Sequence, residues 1–194
     1  MKVKLKNIAQ VQSGIFIKTD ISGDVIYLQA KYFDEQGKVN TLLHPDLKLQ
    51  GKIEKHLLHE GDLLFAAKGT KNFAVKYDGT IGLAVASSTF LVIRINSQYQ
   101  MHVLPEFLQW FINLPVSLQT LKSGAIGTDL PSISKVVLEN LEIYIPSIEK
   151  QSIIMKISEL HNQEVALKRQ LEYLRGIEIQ QKLLKAAKNH IHGE

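Results

Sequence analysis

PSIEKQSIIMKISELHNQEVALKRQLEYLRGIEIQQKLLKAAK, residues 146–188, reads as one long helix carrying an apolar stripe. Ile157, Leu160, Leu167, Leu171 and Leu174 fall at a/d heptad spacing, Ile153 lies one turn earlier, and Ile177 and Leu184 continue the stripe. Such a narrow seam is built to receive a second helix, whereas a helix folded back on its own domain would carry a wider stripe. Ser147 is placed to cap the orphan N–H groups, and Glu149 sits in the first turn, where the helix dipole favours an anion. Glu164 with Lys168 and Glu178 with Lys182 are i,i+4 pairs worth roughly 0.2–0.5 kcal/mol each. Gly176 costs about 1 kcal/mol inside a helix. Together with Glu164 and Glu178 at a positions, it predicts a seam that weakens beyond Leu174, with a kink or a change of partner there. At ~1.5 Å per residue the helix would be roughly 60 Å long, more than the preceding domain needs for its own core.

The composition is that of one globular core plus an appendage: 194 residues, 45% hydrophobic, mean hydropathy −0.02. With no cysteine, disulfides and thiolate metal sites are excluded, which fits a reducing cytosol. The opening Met1-Lys-Val-Lys-Leu-Lys is charged but has no apolar run after it, and no stretch approaches membrane-spanning length. A cytoplasmic protein with no membrane contact is the expectation. Residues 1–149 hold 15 Lys/Arg against 14 Asp/Glu, and residues 150–194 hold 8 against 5. The net charge of +4 permits nucleic-acid binding without demanding it.

Residues 1–146 read as an α+β domain rich in strands. Residues 4–11 alternate as a strand or short helix, while 24–30 (DVIYLQA) and 62–67 (DLLFAA) are strand-like. The runs 81–86 and 90–95 flank Ser87-Ser88-Thr89, which predicts a hairpin or adjacent strands. Residues 105–121 show helical spacing interrupted at Pro115, predicting a helix pair packed on the sheet. Residues 138–145 return to strand alternation and hand the chain to the long helix. The expected division is a globular domain at 1–146 and a helical arm at 147–194.

The order of several segments carries a resemblance. Lys-Leu-Lys-Asn-Ile-Ala-Gln-Val-Gln-Ser-Gly (4–14), Gly61-Asp62-Leu63-Leu64-Phe65, Phe90-Leu-Val-Ile-Arg94, Ser123-Gly-Ala-Ile-Gly-Thr-Asp-Leu-Pro-Ser-Ile-Ser134, Leu141-Glu-Ile-Tyr-Ile-Pro146 and Glu149 with Gln151-x-Ile153 follow one another. In that order they resemble one half of a type I restriction-modification specificity subunit. The chain departs locally in Ser147, where the family often has a second proline, and in Lys150, where it often has a second acid. The resemblance implies a DNA-recognition component without catalytic activity or cofactor, working with modification (methyltransferase) and restriction subunits. In such subunits two recognition domains are held apart by two antiparallel helices, and each domain reads half of a split site in double-stranded DNA. One domain and one helix would then make half of the instrument. A homodimer pairing its helices antiparallel completes it with two-fold symmetry, and pairing with a different half-subunit is the other arrangement. The dimer interface expected is Ile153, Ile157, Leu160, Leu167, Leu171, Leu174, Ile177 and Leu184. A free-standing dimeric DNA-binding regulator that recruits no enzyme is the alternative function.

The residues that face DNA can be argued to cluster level. Residues 67–77 combine Lys68, Lys71 and Lys76 with Gly69, which permits close backbone approach, and with Thr70 and Asn72 as hydrogen-bonders. Lysines suit phosphates, and Asn72 could read an adenine edge; an ordinary solvated loop is the competing interpretation. Residues 122–129, with Lys122 and Thr128, form a second loop expected to be chiefly structural. Lys18, Thr19 and Lys31 lie near strand ends. No Gly-rich cofactor loop, Asn/Asp-Pro-Pro-aromatic segment or Walker motif is present, so methyl transfer and ATP hydrolysis would come from partners. Pro45-Asp46 with Glu54-Lys55 lacks nuclease spacing, and His56 and His59, which could share a helix face, lack a third ligand for a metal. Trp110 has apolar neighbours and reads as core or interface.

Overall fold

The computed structural model describes residues 1–19, 23–34, 37–39, 41–51, 53–69, 71–125 and 131–189, with side chains to residue 187. The chain divides into two units, Met1–Ser152 and Ile153–Glu194.

In the first unit the order is β1 (Lys2–Lys4), α1 (Leu5–Ile8), β2 (Ala9–Ser13), β3 (Ile26–Leu28), β4 (Leu63–Ala66), β5 (Ala74–Lys76), β6 (Ala84–Ala86), β7 (Phe90–Ile95), α2 (Pro105–Asn113), α3 (Pro115–Ser123), α4 (Lys135–Glu139) and β8 (Glu142–Tyr144). The central sheet is antiparallel with order β2-β7-β4-β5. All four residues of β4 are buried, because successive side chains enter different cores. Leu63 and Phe65 join Val11, Leu91 and Ile93 against Leu108, Ile112 and Leu121 of α2 and α3. Leu64 and Ala66 face the other way, toward Ile26, Leu28, Ala84 and Ala86 of β3 and β6. A strand buried on both faces is why residues 63–67 form an unbroken apolar run.

Prolines place the helix pair. Pro105 and Pro115 each occupy a first turn, where the missing N–H costs nothing, and the break between α2 and α3 falls at Leu114 as the sequence suggests.

Three local readings are corrected. Residues 4–11 split into the end of β1, all of α1 and the start of β2, so the strand and the short helix both exist in tandem. The runs ending at Ala86 and beginning at Phe90 form no hairpin: β6 pairs parallel with β3, whereas β7 pairs with β2 and β4. Ser87–Thr89 is a turn, with Phe90 N–H donating to Ser87 O at 2.9 Å, but it carries the chain between two sheets. Leu138 belongs to α4 and not to a strand. Ser134 caps that helix by accepting from Val137 N–H, and Lys135 meets Glu139 at 3.6 Å, after which Leu141, Ile143 and Ile145 bury in the predicted alternation.

α5 spans Ile148–Asn189, 42 residues, or roughly 63 Å at ~1.5 Å per residue. Ser147 O accepts Gln151 N–H at 2.9 Å, and the Glu149 carboxyl is held below its ordinary pKa by its own backbone N–H and then by the Ser147 hydroxyl. Gln151 is fully buried and fully satisfied. Its Oε1 accepts Leu104 N–H at 2.9 Å, and its Nε2 donates to His102 O at 2.7 Å and Pro146 O at 2.9 Å. The first turn of α5 is thereby tied to the entrance of α2. Gln151→Leu strands one donor and two acceptors, and is expected to lower stability by about 3 kcal/mol, read from the urea midpoint.

In the second unit α5 runs through Gly176 without a break in the helix. Glu164 meets Lys168 at 2.6 Å and Glu178 meets Lys182 at 2.7 Å, as their spacing predicts. No helix among the described residues is long and apolar enough to cross a membrane.

Candidate nucleic-acid interface

The pairing of the strands gathers four chain segments at one end of the first unit. Ser13 lies opposite Leu91 and Ala66 opposite Phe90, so the C-terminal ends of β2 and β4 meet the start of β7. β3 and β6, being parallel, finish together at Leu28 and Ala86. Backbone bonds lock the junction: Gly14 N–H to Phe90 O at 3.0 Å, Ile15 N–H to Ala86 O at 2.9 Å, Ala67 N–H to Thr89 O at 3.0 Å and Ser87 N–H to Leu28 O at 2.8 Å. Gly14 is required there, because a Cβ would fall 2.1 Å from Ser87 O.

The segments that leave this junction carry the charge. Residues 14–19, 29–33, 67–72 and 87–89 contain Lys18, Lys31, Lys68 and Lys71 and no Asp or Glu, with Asp20 and Asp34 the next residues on two of them. Those four lysines are exposed. The whole of residues 1–149, by contrast, balances 15 basic against 14 acidic side chains. A basic end on a nearly neutral domain is a place for phosphates.

A fifth segment joins them. Lys68 bridges Ser132, Gly69 N–H donates to Pro131 O at 3.1 Å and Ile133 N–H donates to Ala67 O at 2.9 Å. Residues 131–133 therefore lie beside the first of the two loops, and residues 126–130 lie outside the described residues. Gly69 has φ +99, with open space where a Cβ would sit, so a side chain there is opposed by backbone strain and not by crowding.

Not every candidate residue reaches this surface in the same condition. Asn72 is half-buried, and its Nδ2 donates to Ala66 O at 2.9 Å, holding the loop to the strand it leaves. Lys76 is half-buried on β5 and forms an ion pair with Glu106 of α2. Burial pushes the Glu106 carboxyl up, but the hydrogen bond and charge of Lys76 outweigh it and hold the carboxyl below its usual range. Lys76 is thus already compensated within the fold. Lys31 lies 5.1 Å over the Tyr32 ring, in a 3₁₀ turn after β3. Lys122 lies in the last turn of α3, not in a loop, where a cation suits the helix C-terminus. Thr70 and Thr128 lie outside the described residues.

Arg94 belongs to the opposite end of the sheet. Its Nε and Nη2 grip Asp62 at 2.8 and 2.6 Å, and Nη2 also reaches Leu57 O at 3.2 Å. Asp62, 2% exposed, accepts His59 N–H at 2.8 Å as well. The hydrogen bonds that Arg94 donates to Asp62 raise the Arg94 pKa against the effect of burial. Two of the sequence segments, 61–65 and 90–94, are accordingly joined by one buried brace that fixes β4 against β7.

The remaining candidates fall to structure. His56 ends a 3₁₀ turn and His59 lies past it, so they share no helix face, and no described group of three or more His, Asp or Glu could hold a metal. Trp110 packs on Phe107 with centroids 5.6 Å apart. The sequence did not single out Phe16, which is 83% exposed at the basic end. Its neighbours in an alternating stretch turn inward, a signal that points to an outward Phe16 once Ile15 and Ile17 are assigned to the core.

On α5 the seam residues are open. Ile153, Ile157, Leu160, Leu167, Leu171, Leu174 and Leu184 are each about half exposed or more, and Ile177 is half-buried.

The model of the type I restriction modification DNA specificity domain matches residues 1–173. The type I restriction enzyme MjaVIII specificity subunit of Methanocaldococcus jannaschii is 25% identical over 171 residues, 88% of this chain and 37% of that protein. The crystal structure of the HsdS subunit from Thermoanaerobacter tengcongensis superposes with a TM-score of 0.64 at 20% identity, over 88% of this chain and 44% of that one. The type I restriction-modification S subunit from M. genitalium gives 0.58 at 12% identity, over 84% and 39%. The chain spans less than half the length of each of these relatives.

Proposed function

The chain belongs to the family of type I restriction-modification DNA specificity domains, and from that premise we propose that it reads one half-site of a split DNA target through the basic strand-end surface. The observation that carries this reading is the gathering of Lys18, Lys31 and Lys68, all exposed, on segments that leave one strand junction. Lysines position the duplex by its phosphates, and base choice falls to the polar groups between them. Asn72 acts by shaping its loop, since its amide nitrogen is engaged with Ala66 O. Lys76 braces β5 against α2 and contributes little to phosphate binding.

α5 supplies the second half of the function. A seam of half-exposed aliphatic side chains on a 42-residue helix is satisfied by a second such helix. Antiparallel pairing of two copies sets two domains at opposite ends of a rod, and the overlap of the rods fixes the gap between half-sites. The chain performs no chemistry in this scheme; methyl transfer and cleavage belong to modification and restriction subunits that dock on the dimer.

Titrating the 194-residue protein into a labelled random-sequence duplex at several salt concentrations tests the DNA reading. Affinity should fall with salt with a log–log slope of about −3 or steeper per domain, as expected for three or more phosphates neutralised. A salt-independent affinity, or no binding at low salt, would contradict it.

A further inference from the structure

We infer that Phe16 stacks on a DNA base at the basic end, supplying an uncharged contact that works between the lysines; this rests on the proposed DNA reading. Of the seven phenylalanines in the chain, the other six are buried or half-buried. Phe16 is 83% exposed, yet the backbone on either side of it is held.

One phenol ties both of its neighbours. Tyr27 Oη donates to Ile15 O at 2.7 Å and accepts from Ile17 N–H at 3.4 Å. Ile15 is buried and bridges Ser87, and Gly14 before it is pressed against Ser87 O with no room for a side chain. The in-out-in alternation of Ile15, Phe16 and Ile17 leaves Phe16 pointing away from the core. The backbone that carries the ring is thus held on both sides before any ligand arrives.

A lone exposed apolar side chain is ordinary. What distinguishes this one is the company. Lys18 is two residues away, and Lys31 and Lys68 leave the same strand junction, with no acid in their segments. An apolar protein partner would gain nothing from that charge, whereas a polyanion with stacked apolar faces matches both features. Cations hold the backbone while an aromatic ring meets a base face or wedges at a base step.

The test compares wild type, Phe16→Ala, Phe16→Leu and Phe16→Trp on the labelled random-sequence duplex. Phe16→Ala should weaken binding about tenfold at every salt concentration with the slope unchanged, since no charge is removed. Phe16→Leu should fall between. In Phe16→Trp the added indole should be quenched when duplex binds, read against wild type, in which Trp110 is the single tryptophan. Unchanged thermal melting is expected, because the side chain packs on little. Wild-type affinity in Phe16→Ala together with unquenched Phe16→Trp emission would overturn the inference while leaving the DNA reading intact. A wild type that binds no duplex would overturn both.

Discussion

If two copies pair through α5 as proposed, Leu167→Glu with Leu171→Glu is expected to convert that dimer into folded monomers of 21.9 kDa, read by sedimentation or mass photometry. The two leucines are 66% and 49% exposed on the isolated helix, so within one chain the change costs no core packing and should move stability by about 0.5 kcal/mol or less. In the paired helix each leucine buries, at about 1.5–3 kcal/mol apiece, and four such losses with four added like charges exceed what a two-helix interface tolerates. Affinity for a two-part DNA site should fall with it by about 10²- to 10⁴-fold, because the second half-site is no longer engaged intramolecularly. Domain folding, followed by near-UV circular dichroism, should be unchanged. A double variant that stays dimeric would place the interface elsewhere than on the seam.

The second large effect concerns the basic end. Lys18→Ala, Lys31→Ala and Lys68→Ala combined should reduce the magnitude of the salt slope by about three per domain and weaken binding by roughly 10²-fold or more at low salt. Lys76→Ala is the internal control. Its ammonium already compensates Glu106, so its loss should leave the slope nearly unchanged. An equal effect of Lys76 and Lys68 would mean that the lysines act through overall charge and not through a surface. Lys31→Ala alone distinguishes further, since removing it leaves the paired strands and their buried residues untouched.

Residues whose behaviour is set by near neighbours were legible in the sequence, and residues decided by distant partners were not. The seam of α5 could be read because heptad spacing is a local property, and Pro105 and Pro115 could be read because proline fixes its own backbone. The run at 81–95 looked like a hairpin because two apolar segments around Ser-Ser-Thr have the same local appearance whether they pair with each other or with strands far away. β6 finds its partner in β3, whose residues lie nearly sixty positions earlier, through a parallel ladder that no turn announces. α4 was hidden by the β-branched Val136 and Val137 and is settled by the Ser134 cap.

The site shows the same division. That lysines are the candidates for phosphate contact in the proposed interface follows from their type and number. Which lysines remain available does not, because Lys68 and Lys76 look alike until α2 brings Glu106 to one of them. Phe16 escaped notice for the converse reason: a phenylalanine is assigned to a core by default, and its outward direction depends on Tyr27 clamping Ile15 and Ile17.

Leu171, Leu174 and Ile177 are spaced three and three, where a heptad alternates three and four, and Leu184 follows Ile177 by seven. That is a three-residue step in the repeat, which overwinds a coiled coil locally. The seam therefore shifts around the helix after Leu174 instead of ending there, and Gly176, with open space around its Cα, sits beside the step.

Selection of bound fragments from a random duplex pool, followed by sequencing, tests the central claim most directly. A dimer of this chain, paired through α5 with a recognition domain at each end, predicts an enriched site made of two half-sites in two-fold symmetry across a gap of fixed length. Enrichment of a single undivided element, or of half-sites at variable separation, would contradict it.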